Sequence, residues 1–73
     1  MKTSVQQLAG ELDTLIPEEH AARFLSVSAR ALQKWRSEGS GPKYCALSSR
    51  CIRYRRRDLI AWSESKLKTS TAA

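Results

Sequence analysis

Apolar positions along this chain of 73 residues recur first at helical spacing, then alternate, then return to helical spacing. Val5, Leu8, Leu12 and Leu15 fall on one stripe and predict a first amphipathic helix over residues 4–15. Ser4 and Gln7 have capping-box spacing at its start. Gly10 is a weak point, costing about 1 kcal/mol against alanine. A second helix is predicted over residues 17–25. Pro17 suits its first position, where the missing N–H would go unpaired anyway. Ala21, Ala22, Phe24 and Leu25 are expected to face inward, with Glu18, Glu19, His20 and Arg23 outward. Ile16 stands where a polar cap would be expected. Ser26 ends this helix at a position that prefers glycine, because the residue there usually takes a positive φ.

Residues 28–38 predict a third helix with two unlike faces. Ser28 is its natural N-cap, and Val27 and Leu32 have the spacing of a hydrophobic staple. Leu32 and Trp35 share one side with Ala31 beside them, while Arg30, Gln33, Lys34 and Ser37 recur on the other. Gly39 then suits a C-terminal cap and Pro42 blocks continuation. Residues 43–47 and 52–55 predict a β-hairpin with Ser48–Cys51 at its tip and Leu47 opposite Ile52. In that register Arg53 and Arg55 share one face, Ile52 and Tyr54 the other, and Arg50 projects from the loop. A last helix is expected over residues 57–67, with Leu59, Trp62 and Ile60 inward and Asp58 near its positive end. The tail, residues 68–73, is polar and expected to fray.

Charge changes the picture. Residues 28–57 hold nine Lys/Arg against one Glu, whereas residues 1–22 hold one Lys against four acids. A cationic middle in a chain of net charge +6 points to a polyanionic partner, nucleic acid before an anionic membrane surface. Two cations, an amide and a hydroxyl on one helix face are the groups that contact phosphates and base edges in a major groove. The same face would also serve an ordinary solvated helix, and the arginines of the hairpin would also protect an edge strand. No run approaches the length of a membrane span and no signal-peptide core is visible, so a cytoplasmic, nucleoid-associated protein is expected. Cys45 and Cys51 fit no metal spacing and read as reduced, partly buried thiols, with a redox-sensitive bridge as the alternative. No Ser-His-Asp set, metal cluster or phosphate-cradling loop is present, so no catalytic residue, cofactor or metal is expected. A chain this small buries only about 60% of its unfolded surface and makes one thin core.

The order helix, turn, helix, hairpin, helix is that of a winged helix-turn-helix module: mainly α with a small β-hairpin, plus one extra N-terminal helix. The residues that carry it run from Pro17-Glu18-Glu19-His20-Ala21-Ala22-Arg23-Phe24-Leu25-Ser26-Val27-Ser28 through Leu32-Gln33-Lys34-Trp35-Arg36-Ser37-Glu38-Gly39 and Gly41-Pro42-Lys43-Tyr44 to Ile52-Arg53-Tyr54-Arg55-Arg56-Arg57-Asp58-Leu59-Ile60-Ala61-Trp62. They resemble the excisionase and AlpA-like helix-turn-helix family, which is related to the MerR-type DNA-binding domain. The chain departs from the family pattern at Ser26, at Ile16, and in a wing tip without glycine that is one residue longer.

The resemblance implies a sequence-specific double-stranded DNA-binding protein of a phage or mobile element, acting as an excisionase or a transcriptional regulator. It implies a recognition helix presenting Ser28, Ala29, Arg30, Gln33, Lys34 and Ser37. It further implies wing and backbone contacts from Lys43, Arg50, Arg53, Arg55, Arg56 and Arg57. The partners expected are DNA, an integrase or the transcription machinery, and further copies of the chain on DNA. The expected division is an N-terminal helix over 1–15, the DNA-binding domain over 16–67 and a tail over 68–73. Two alternatives stay open: a protein-interaction or inhibitory module using the N-terminal helix, and the DNA-recognition domain of a small terminase-like protein.

Overall fold

The computed structural model describes residues 11–69. Residues 11–13 are helical. The chain then runs through β1 (Leu15–Pro17), α1 (Glu18–Leu25), α2 (Ala29–Ser37), β2 (Cys45–Ser48), β3 (Cys51–Arg55) and α3 (Arg56–Glu64). Most of the expected 4–15 helix, residues 4–10, lies outside the described residues. The fold is mainly helical with a small antiparallel sheet, as the sequence predicts.

The two helices of the central pair end in the same way. Val27 N–H donates to the Ala22 carbonyl and Ser26 N–H to Arg23, a Schellman closure with Ser26 at φ 60°. Ser40 and Gly39 repeat it on Trp35 and Arg36, with Gly39 at φ 76°. Glycine takes that conformation freely; Ser26 takes it against a steric cost of about 1–2 kcal/mol. The Ser28 hydroxyl accepts from Ala31 N–H at 3.1 Å, the cap that the sequence predicts. Val27 and Leu32 both pack in the core.

The sheet has one strand more than the predicted hairpin. Its order is β1-β3-β2, with Ile16 opposite Tyr54 and Pro17 opposite Arg53. Leu15 and Pro17 therefore leave the helices expected for them. Pro17 is extended and closes an edge strand, where its missing N–H costs no ladder bond, and α1 starts at Glu18. Ile16 is not a failed cap but a core residue, 4% exposed.

The hairpin tip is also tighter than expected. Ser48 pairs with Cys51, leaving Ser49 and Arg50 as the loop. Ile52 lies opposite Ala46, not Leu47. A bulge between Ala46 and Ser48 takes up the extra residue and turns Leu47 outward, 60% exposed.

The core is Ile16, Ala21, Ala22, Leu32, Tyr54 and Leu59, with Leu25, Val27, Trp35 and Ile52 around it. Phe24, expected inside, is 44% exposed. The inward arc of α1 runs from Ala21 through Leu25 to Ala22, and Phe24 lies beyond its edge. Trp35 and Trp62 join α2 to α3 with ring centres 5.1 Å apart. Gly41, at φ 86°, lies against Trp35, and a Cβ there would sit 2.8 Å from the Trp35 Cβ. α3 ends at Glu64, short of the expected 67.

Candidate nucleic-acid interface

The outer face of α2 carries Arg30, Gln33, Lys34 and Ser37, all exposed, with Ala29 half-buried at its first turn. The side chains of Arg30 and Lys34 make no hydrogen bond or ion pair among the described residues, so both cations are free to meet an anion. The two hydroxyls are used internally: Ser28 caps the helix and Ser37 donates to the Lys34 carbonyl at 3.0 Å. Each helps to shape α2, and each stands at the edge of the face.

One edge of α2 is tied to the rest of the fold by Glu18. The carboxylate accepts from Arg36 Nη1 at 2.7 Å and from Gln33 Nε2 at 2.6 Å. Arg36 also donates to the Tyr54 hydroxyl at 3.0 Å and lies 5.6 Å from the centre of the Tyr44 ring. Burial works against the charge of Arg36, but the bonds to Glu18 and Tyr54 outweigh it and hold the guanidinium above its ordinary value. Burial likewise pushes the Tyr54 phenol up. Glu18 was expected to point outward, and instead joins the first turn of α1 to α2, and through Arg36 to β3. The sequence carries no local sign of this; only the spacing of Gln33 and Arg36 on one side of α2 hints that both could reach a common acceptor.

The wing tip lies beside that edge. Pro17, Glu18, Arg36, Arg50, Ile52 and Arg53 line one open groove. The exposed loop residue Arg50 and the half-buried Arg53 therefore share this groove with Arg36 and with Glu18 and Glu19. Arg53 donates to the Ile52 carbonyl at 2.9 Å, which steadies its side chain, and it forms no ion pair among the described residues.

The three consecutive arginines sit apart from the tip. They begin on the last residue of β3, at the end away from Cys51 and roughly 13 Å along the strand. Arg55 holds Asp58 at 2.8 Å, Arg57 holds Asp13 at 2.6 Å, and Arg56 donates to the Glu11 carbonyl at 3.2 Å. The Arg57 bond keeps the Asp13 carboxyl below the usual range, and the bonds to Asp58 and Asp13 raise Arg55 and Arg57. Lys43 is exposed beside Gly41, Asp58 and Trp62, on the flank of α3. Thus Arg50 and Arg53 share a groove with Arg36 at one edge of α2, Arg30, Gln33 and Lys34 are exposed on the same helix, and Lys43, Arg55, Arg56 and Arg57 lie elsewhere.

Residues 19–66 match the family model of a helix-turn-helix domain. The chain belongs to that family. This helix-turn-helix family is the DNA-binding, AlpA/excisionase-like one, and its matched span covers α1, α2, the hairpin and α3. The protein is accordingly a DNA-binding helix-turn-helix protein. No curated protein matches the chain.

Proposed function

We propose that this helix-turn-helix protein recognises a specific double-stranded DNA sequence of a phage or mobile element, and acts there as an excisionase or a transcriptional regulator. α2 enters the major groove. Arg30, Gln33 and Lys34 reach base edges or phosphates, and Ser28, Ala29 and Ser37 line the approach. The tip, through Arg50 and Arg53, meets the neighbouring minor groove or its phosphates. Lys43, on the flank of α3, and the Arg55–Arg57 run, engaged with Asp58, Glu11 and Asp13, stay outside this contact. The DNA-binding unit is residues 16–67, working in the cytoplasm on the nucleoid. One copy makes few contacts, so tight binding uses several copies on DNA.

The observation that supports this most is the groove shared by Arg36, Arg50 and Arg53, which brings the tip to the Glu18-bound edge of α2. Selecting bound duplexes from a random pool tests it. Enrichment of a defined site is expected, and a pool that stays random overturns it. Circular-permutation gel shifts on the enriched site then separate the two roles. An excisionase bends its DNA and occupies tandem copies; a regulator needs neither.

A further inference from the structure

We propose that Glu18 is a specificity-determining positioning residue: it holds the Gln33 amide in one orientation, so that α2 selects adenine over guanine at one base pair. This rests on α2 being the groove helix. A carboxylate can only accept hydrogen bonds, so the Gln33 side chain must turn its nitrogen, not its oxygen, toward Glu18. A free glutamine on a helix surface flips between two amide orientations of nearly equal energy. Here the flipped form would set Oε1 against a carboxylate oxygen with no proton between them.

The carboxylate is itself fixed. Its Oε1 is held by Arg36, which is in turn held by the Tyr54 hydroxyl and stacked near the Tyr44 ring. Oε2 is left for Gln33. Glu18 is fixed from behind and Gln33 stands in front, exposed to solvent. One amide N–H is spent on Glu18. What remains is Oε1, which has no partner among the described residues, and the second N–H. An acceptor beside a donor matches N6 and N7 of adenine. Guanine offers acceptors at both places, and would leave Oε1 facing the keto oxygen O6.

The test is site selection from a random duplex pool by the wild-type chain, Glu18→Gln, Glu18→Asp and Gln33→Ala, each checked for folding by its thermal melt. Wild type is expected to enrich adenine at the Gln33 position. Glu18→Gln, whose oxygen stays on Arg36 and whose NH2 then faces Gln33, no longer holds the Gln33 nitrogen and should cut the adenine-over-guanine preference there by about tenfold, with the other positions unchanged. Glu18→Asp, a methylene too short to reach, should relax the same base pair. Gln33→Ala should erase the preference, and adding Glu18→Gln to it should change nothing further. A purely structural Glu18 predicts the opposite pattern: lower melting temperature, weaker binding to every sequence, and an undisturbed adenine preference. That pattern in both Glu18 variants overturns the proposal. Failure of the wild-type chain to enrich any site would instead show that α2 is not the groove helix.

Discussion

Salt dependence separates the free cations from the paired ones. The side chains of Arg30, Lys34, Arg50 and Arg53 form no ion pair among the described residues. If each neutralises one phosphate, the logarithm of the binding constant should fall against the logarithm of salt with a slope of about −3.6. Affinity for a duplex lacking the selected site should then drop about 150-fold between about 50 and 200 mM salt. Replacing Arg30 and Lys34 together by alanine should bring the slope to about −1.8 and the drop to about 12-fold. Replacing Arg55 and Arg57 should leave the slope near its original value. Both are engaged with Asp58 and Asp13, and both lie at the far end of β3. Fluorescence anisotropy of a labelled duplex at five or six salt concentrations reads these slopes directly. An Arg55/Arg57 variant that loses as much slope as the Arg30/Lys34 variant would refute the assignment of the binding side. So would an Arg30/Lys34 variant that loses none.

Two further outcomes concern the fold. Ser26→Gly removes the steric cost of φ 60° at a small cost in unfolded-chain entropy, and should stabilise the protein by about 0.5–1 kcal/mol. A thermal melt would show this as a rise of several degrees, and an unchanged or lower midpoint would contradict it. The second outcome is a pH effect. Because Arg57 lowers the Asp13 carboxyl, the contribution of that pair is present above the ordinary value of about 3.9, and is lost as the pH falls through the depressed folded value. Urea midpoints followed from about pH 5 to about pH 2 should fall less steeply in Asp13→Asn than in the wild-type chain. Identical acid limbs would show the pair to be without effect.

Features governed by local chemistry were legible from the residues. The Ser28 cap, the Gly39 closure, the polar face of α2 and the order of helices and hairpin all depend on neighbours within about four positions. What escaped depends on partners far away in the chain. Nothing within residues 15–17 announces a strand; Leu15-Ile16-Pro17 becomes one only because β3 arrives some forty residues later with Tyr54 to cover Ile16. Glu18 read as one acid on a solvated first turn until α2 brought Gln33 and Arg36 to it. Likewise, nothing beside Arg57 in the sequence marks it as the partner of Asp13, 44 positions away. Leu47 failed for a different reason. Alternation fixes which face a residue takes only while the register is unbroken, and a bulge of one residue reverses it.

Consider finally the position of β3 in the middle of the sheet. On one side it carries the wing; on the other it is laced to β1, whose last residue, Pro17, runs into α1 with no intervening spacer. The tip and the helix pair are therefore two arms of a single frame, with no hinge between them. Their separation is set before any duplex arrives. A binding site whose groove spacing differs from that separation has to be the member that bends, and sequences that bend easily gain an advantage at base pairs the protein never touches.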